Sequence, residues 1–123
     1  MKAGKEHRVP LPDQAIALLY ALPRIAGNDL VFPAPRGNQL SDMSLTAVLK
    51  RMERPDLTQH GFRSTFRDWA SETTAYPREV IEHALAHQLK DKAEAAYQRG
   101  DLLAKRACLM ADWGRYCDLV AAP

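Results

Sequence analysis

Prolines divide this 123-residue chain into short segments whose apolar residues recur at helical spacing. Proline fits the first turn of a helix but breaks a helix interior, so each proline indicates a helix start or a helix end. Pro12 precedes a segment with Ile16, Leu19 and Tyr20 on one stripe, and Pro23 ends that segment. The pattern predicts several short helices rather than one long helix.

The same signals predict five further helices. Capping residues, prolines, helix-breaking residues and apolar residues at helical spacing indicate them. Pro55 ends one of them, and Pro77 suits the first turn of another. The first, after a Ser41 or Ser44 cap, carries Leu45, Val48, Leu49 and Met52, and the second, after a Thr58 cap, carries Phe62, Phe66, Trp69 and Ala70. The third covers residues 78–87 and the fourth covers residues 92–98. The last follows Gly100 and an Asp101 cap and carries Leu102, Leu103, Met110, Trp113 and Val120.

Extended structure is predicted only in the first third of the chain. Residues 1–12 are basic and end in Val-Pro-Leu-Pro, which favours a strand or an extended arm. Residues 30–32 are a short strand candidate, and residues 33–38 hold two prolines and a glycine, which is typical of a loop. We therefore predict a mainly α fold with a minor β element near the N-terminus, in a single domain over residues 1–123.

Composition excludes several classes of protein. Hydrophobic residues make up 46% and charged residues 26% of the chain, which is an ordinary globular balance. The longest apolar stretch, residues 15–22, is too short to span a bilayer, and the N-terminus lacks the apolar segment of a secretory signal. We expect a soluble, cytoplasmic protein without a membrane partner. The net charge of +2 is too small to indicate a nucleic-acid partner by itself.

The two cysteines, Cys108 and Cys117, fall on the last predicted helix. Nine residues of helix separate them by ~13 Å along the axis, which is too far for a disulfide. We expect free thiols packed as small apolar residues, as is usual in a reducing compartment.

A histidine and an arginine three residues apart are the first candidate site. His60 and Arg63 fall at the start of a predicted helix, where residues at this spacing are neighbours. Free N–H groups and the helix dipole favour an anion there, and arginine grips phosphate with two hydrogen bonds. The structural alternative is that His60 caps or packs against the helix and Arg63 is solvated.

Two other histidines and a tyrosine have weaker signals. His83 and His87 have i, i+4 spacing on one predicted helix, but a zinc site needs further ligands. A metal hydrolase using these two and His60 is therefore a remote alternative, and His83 is expected at the surface. Tyr97 ends a small-residue helix, where tyrosine is usually a core or interface residue. It is a poor nucleophile unless neighbours take its proton.

Taken together, three stretches of the chain resemble the catalytic core of the tyrosine recombinases, and of prophage and genomic-island integrases in particular. They are HGFRSTFRDWA at residues 60–70, ALAH at residues 84–87 and AAYQRGD at residues 95–101. The order HxxR, then His or Trp, then Tyr near the C-terminus is the family signature. Residues 5–12 also resemble the family's hairpin strand, so the resemblance covers nearly the whole chain.

The resemblance implies roles for three residues around one phosphate. Tyr97 is similar to the nucleophile that attacks the scissile phosphate and forms a 3′-phosphotyrosyl link. Arg63 resembles the second of two arginines that hold the non-bridging oxygens. His87 matches the later His or Trp position, a hydrogen-bond donor to the phosphate.

Two proton-transfer roles are also implied by the resemblance. His60 matches the HxxR histidine, which is implied to assist proton transfer at the tyrosine. Lys2 falls where the family keeps a hairpin lysine that protonates the departing 5′ oxygen, with Lys5 as the alternative. The family's first arginine lies upstream of this lysine, so we expect the chain to be the C-terminal part of the catalytic domain, truncated at its N-terminus.

The implied partner is double-stranded DNA, with no metal and no cofactor. The resemblance also implies a homo-oligomer on DNA in the full-length protein, and Arg51, Arg54 and Arg67 are candidate DNA contacts. A non-catalytic DNA-binding or protein-interaction module, with these arginines and Arg63 as its basic face, is the alternative. The apolar stripe of the last helix is expected either to fold back on its own domain or to dock on a neighbour.

Overall fold

The structure, a computed structural model, describes residues 4, 6–87, 93 and 100–122. Five helices have both ends within these residues, and none is long and apolar enough to cross a membrane. The five helices are α1 (Asp13–Ala21), α2 (Ser44–Arg51), α3 (Gln59–Thr73), α4 (Arg78–Ala84) and α5 (Leu103–Ala121). The prediction of a mainly helical fold is confirmed for this part of the chain, whereas the predicted helix at residues 92–98 lies outside it, apart from the helical Ala93.

The predicted minor β element near the N-terminus is wrong. Residues 4 and 6–87 contain no strand, and the one pairing there is an isolated antiparallel bridge between Pro33 and Gln39 across the predicted loop. The strand candidate at residues 30–32 stays exposed and has no neighbouring strand with which to form a ladder. Residues 6–12 form no regular secondary structure, and the carbonyl of Arg8 accepts from the Arg106 side chain.

Two helix starts agree with the predicted local chemistry. α1 begins directly after Pro12, whose carbonyl accepts from the N–H groups of Ala15 and Ile16 at 3.0 and 3.1 Å. α3 is capped by Thr58, whose hydroxyl accepts from the Gly61 N–H at 3.0 Å. Both signals depend only on neighbouring residues, and both predictions are confirmed.

The predicted serine cap of α2 is wrong. Met43 is the N-cap residue and gives no side-chain cap, while the hydroxyls of Ser41 and Ser44 lie 3.2 Å apart and bond to each other.

The predicted helix over residues 78–87 is also too long, because α4 ends at Ala84. His83 therefore lies in a helix and His87 lies beyond its end.

The core lies where α3, α4 and α5 meet. Phe66 packs edge-on against Trp113, with ring centroids 5.3 Å apart, which joins α3 to α5. Leu109, which the sequence pattern did not single out, is fully buried. The buried cluster consists of Phe66, Ala70, Val80, Ile81, Leu85 and Leu109, with Trp69, Tyr76, Ala84, Leu102, Met110 and Trp113 packed against it.

The last helix folds back on its own domain along most of its length. Its C-terminal end differs, since Leu119 and Val120 are 77% and 64% exposed. Cys108 and Cys117 are free thiols, as their spacing predicts, but both are exposed, so the expectation that they pack in the core is wrong.

Candidate functional site

The end of α4 turns His87 back over Glu82. Leu85 is the C-cap residue, and Ala86 comes next in the left-handed region with φ of 56°. The N–H of His87 donates to the carbonyl of Glu82 at 2.9 Å, and the N–H of Ala86 donates to that of His83 at 3.0 Å. This pair of bonds is a Schellman motif. It ends the helix at Ala84, three residues before His87, and fixes the direction in which His87 leaves it.

Arg63 reaches this turn from α3. Its Nη2 donates to the carbonyl of Leu85 and lies 3.2 Å from Nε2 of His87. A guanidinium has only donors, so Nε2 of His87 must be the acceptor. The ring is therefore assigned a proton on Nδ1, which lies 2.6 Å from Oε2 of Glu82 and donates to it. Arg63, His87 and Glu82 thus form one continuous series of hydrogen bonds, although Arg63 and His87 are 24 positions apart in sequence.

Glu82 anchors the other end of this chain. Its side chain is only 10% exposed. Oε1, the carboxylate oxygen that His87 does not contact, forms an ion pair with Nη2 of Arg67 at 3.0 Å. Burial raises the pKa of the Glu82 carboxyl, but the hydrogen bond from His87 and the charge of Arg67 outweigh that effect and hold the pKa below its usual range. Glu82 is therefore a carboxylate at neutral pH.

A second cluster ties the N-terminal arm to the start of α5. Arg106 is 1% exposed and donates from Nη1 to the carbonyl of Arg8 at 2.6 Å and from Nε to the carbonyl of Asp101 at 2.8 Å. The Arg8 side chain forms an ion pair with Asp101 at 2.7 Å. Asp101 also accepts from the N–H of Leu103 at 3.2 Å. The prediction that Asp101 caps this helix is nevertheless wrong, because Leu102, in the left-handed region, is the N-cap residue and no side chain caps α5. The arm is thus held directly beside Asp101.

Three curated proteins match nearly the whole chain. The prophage integrase IntA of Escherichia coli strain K12 is 37% identical over 126 residues, which cover 99% of this chain and 30% of IntA. The prophage integrase IntZ of the same strain is 33% identical, and the integrase of enterobacteria phage P4 is 31% identical. The chain belongs to the phage integrase family. Its predicted membership is thereby confirmed, and the chain spans about 30% of the length of these relatives.

The other comparisons with known proteins add nothing to this result. No family model matches the integrase chain. No solved structure matches it either.

Arg63 and His87 are the two predicted site residues that the structure of this integrase chain brings together. His60 is exposed in the first turn of α3, and its side chain takes part in no hydrogen bond or ion pair among the described residues. His83 is half-buried on α4 rather than at the surface as expected. Within residues 4, 6–87, 93 and 100–122, no group of three His, Cys, Asp or Glu residues could hold a metal ion.

The candidate DNA-contacting arginines lie on different elements. Arg51 is the exposed last residue of α2. Arg54, just beyond α2, forms a two-bond ion pair with Asp56 at 2.8 and 3.0 Å. Arg67 lies on α3, one turn after Arg63, and is paired with Glu82. Two of these guanidinium groups would have to loosen an ion pair to meet a phosphate directly.

Three other predicted site residues, Tyr97, Lys2 and Lys5, lie outside the described residues. The sequence analysis also missed two partners of the candidate site, Glu82 and the carbonyl of Leu85. Glycine is the usual signal for a helix ending in the left-handed region, and here alanine occupies that position. A residue five positions before His87 was therefore not recognised as its neighbour.

Proposed function

We propose that this chain is the C-terminal portion of a tyrosine-recombinase catalytic domain and forms a single domain. Its reaction is the site-specific cutting and rejoining of double-stranded DNA through a 3′-phosphotyrosine intermediate. The observation that carries the proposal is the 3.2 Å contact between Arg63 Nη2 and His87 Nε2. The side chains of Arg63 and His87, both able to bind an anion, meet at the exposed surface. The family resemblance assigns this position to the scissile phosphate.

The chemistry of these two side chains suits a phosphodiester. Nη2 of Arg63 donates to the backbone carbonyl of Leu85, which anchors the side chain at this turn. A guanidinium binds two oxygens of a phosphate in its own plane. The transition state of phosphoryl transfer spreads negative charge over the oxygens, and fixed donors stabilise that charge. Arg63 and His87 are proposed to hold the non-bridging oxygens.

The remaining roles rest on the resemblance. The hydroxyl oxygen of Tyr97 attacks phosphorus while the bond from phosphorus to the 5′ oxygen breaks. His60 assists removal of the phenol proton, and Lys2, or alternatively Lys5, gives a proton to the departing 5′ oxygen. One phosphate ester replaces another, so no nucleotide cofactor is needed.

The chain alone is expected to be a weak enzyme. It spans about 30% of the length of its relatives, and the family's first arginine has no counterpart among the residues that resemble the family. Removing one such anion-stabilising group typically costs ~10²–10³ in rate. DNA affinity depends on the number of phosphate contacts, so binding should also be weak. The full-length protein is proposed to act as a homo-oligomer on DNA.

The test is covalent trapping on nicked duplexes. A nick placed close to the cleavage point lets the short strand diffuse away, so the phosphotyrosyl link cannot be reversed. Because the target site is unknown, the substrate is a pool of nicked duplexes with randomised sequence, and DNA that stays on the denatured chain is recovered and sequenced. We expect a small recovered fraction joined through its 3′ phosphate.

Matched variants decide the outcome. Tyr97→Phe should abolish the adduct without weakening DNA binding, and Arg63→Ala should reduce both. Tyr20→Phe, a change at an exposed tyrosine on α1, should alter neither. An adduct that persists in Tyr97→Phe, or that joins the 5′ end, contradicts the proposal. Salt-sensitive DNA binding without any adduct favours the non-catalytic module instead.

A further inference from the structure

We propose that Glu82 is a positioning residue that makes His87 take up a proton when phosphate binds. The proposal rests on the proposed function, because it assumes that His87 donates to a phosphate oxygen. It concerns the protonation of the ring rather than its assignment to the site. Glu82 touches neither DNA nor the reacting atoms in this scheme and acts through His87.

The free chain holds His87 in a form that cannot donate to phosphate. Nε2, the ring nitrogen on the Arg63 side, accepts from Nη2 of Arg63 at 3.2 Å. The ring proton is on Nδ1, where the Glu82 carboxylate accepts it at 2.6 Å. A phosphate oxygen is an acceptor, so it would face the lone pair of Nε2 and be repelled.

Glu82 prevents the simplest solution, which is to move the proton from one ring nitrogen to the other. A neutral ring with its proton on Nε2 would turn the lone pair of Nδ1 toward the carboxylate, placing two acceptors 2.6 Å apart. The backbone hydrogen bond from His87 to the Glu82 carbonyl holds the two residues together, and the bond from Nδ1 to the Glu82 carboxylate orients the ring. Donation to phosphate then requires a ring that carries both protons.

A bound phosphate supplies a charge that favours this proton uptake. The charged groups around the ring, among the described residues, are Arg63 and Arg67 from α3 and Glu82 from α4. A bound phosphodiester adds one negative charge, which offsets the charge of the imidazolium. Phosphate binding and proton binding are therefore coupled, and each strengthens the other.

The first measurement is long-range ¹H–¹⁵N NMR on the histidine rings of the full chain, with His87→Gln used to assign the signals. Without DNA at pH 7.5, His87 should show a protonated Nδ1 and an unprotonated Nε2. Saturation with a short mixed-sequence duplex should convert it to the doubly protonated form. The Nε2–H tautomer in the free chain, or an Nε2 that stays unprotonated in the complex, overturns the proposal.

The second measurement is the pH dependence of duplex affinity. The uptake of one proton on binding makes the affinity fall by up to about tenfold for each unit of rising pH. Glu82→Gln keeps the shape of the side chain, but its amide can either accept from Nδ1–H or donate to an unprotonated Nδ1. The neutral ring can then carry its proton on Nε2 and donate to phosphate, so the affinity of this variant should depend much less on pH than that of the unchanged chain. Calorimetry in two buffers of different ionisation enthalpy should give about one proton taken up by the unchanged chain.

Controls separate this mechanism from a fold defect. Glu79→Gln removes a carboxylate one turn earlier on α4 and should leave both the affinity and its pH profile unchanged. A Glu82→Gln chain with an unaltered pH profile overturns the proposal, even if its overall affinity falls. Failure of the unchanged chain to bind the duplex at any pH overturns the proposed function and the proton uptake with it. The tautomer measured without DNA still decides whether Glu82 positions the ring.

Discussion

His87 is bound twice to the same residue, Glu82: its backbone N–H donates to the Glu82 carbonyl at 2.9 Å, and its Nδ1 donates to the Glu82 carboxylate at 2.6 Å. The position of the ring therefore depends on how α4 ends. The turn requires Ala86 to adopt φ of 56°, a conformation that costs an L-residue roughly 1–2 kcal/mol. The candidate site thus stores a local strain at the residue that directs His87.

Ala86→Gly should stabilise the chain. Glycine removes the steric cost of the left-handed conformation and adds a smaller entropic cost in the unfolded chain, so we expect a gain of about 0.5–1 kcal/mol in the free energy of unfolding. Urea denaturation followed by circular dichroism measures the change. Ala84→Gly, at the last helical residue of α4, is the matched control and should lower the free energy of unfolding, by up to about 1 kcal/mol. A loss of stability in Ala86→Gly would contradict the assigned turn.

The sequence predicts helix ends well where one or two neighbouring residues determine them. Thr58 supplies a hydroxyl to the N–H of Gly61, and Pro12 has no N–H to lose, so both starts can be read locally. The end of α4 is different, because Ala86 carries no glycine signal. Its conformation is stabilised by the contacts that His87 makes with Glu82 and Arg63.

The sequence analysis could not predict features that depend on contacts between residues distant in sequence. A strand at residues 30–32 needs a neighbouring strand, and residues 6–12 are instead held by the buried side chain of Arg106. The contact of Arg63 with His87 was expected from a family resemblance, since no local pattern relates residues 24 positions apart. Glu82 was missed because its role depends on the turn at Ala86.

Arg106→Met should release the N-terminal arm. The side chain is 1% exposed and donates to the carbonyls of Arg8 and Asp101, so its removal leaves both acceptors without their donor. We expect a loss of about 2–3 kcal/mol in the free energy of unfolding. Limited trypsin digestion at Arg8 should become faster under native conditions.

Arg115→Met is the control for that experiment. Arg115 lies on the same helix but is 65% exposed, and it pairs with Asp112 at the surface. Surface ion pairs contribute little, so its stability should change by less than about 1 kcal/mol, with digestion at Arg8 unchanged. A loss of stability in Arg106→Met with unchanged digestion at Arg8 would show that Arg106 contributes to stability without anchoring the arm.

Gly114→Ala should destabilise the packing of α1 on α5. Gly114 is buried, and an added Cβ would lie 2.8 Å from Cβ of Pro12 and closer still to the side-chain oxygen of Gln14. Alanine improves helix propensity by about 1 kcal/mol, but crowding in a packed contact typically costs about 1–3 kcal/mol. We expect a net loss in thermal unfolding experiments. A more stable Gly114→Ala chain would show that α1 moves away from α5 at little cost.

Tyr76 should make the stability of the chain sensitive to alkaline pH. Its hydroxyl donates to Oδ2 of Asp112 at 2.5 Å, and burial, followed by this hydrogen bond and the charge of Asp112, raises the pKa of Tyr76 to about 12. The folded state therefore favours the neutral phenol. Its contribution is complete below the ordinary pKa of 10.0 and is lost as the pH rises through about 12.

Tyr76→Phe should therefore be less stable than the unchanged chain at pH 9, and this difference should shrink as the pH approaches 12. Urea denaturation at a series of pH values measures it, and subtracting the two curves cancels the other groups that titrate in this range. Tyr116→Phe, at a partly exposed ring stacked against Trp113, is the control and should show no such convergence. Parallel curves for Tyr76→Phe and the unchanged chain would show that Asp112 does not hold the phenol proton in the folded state.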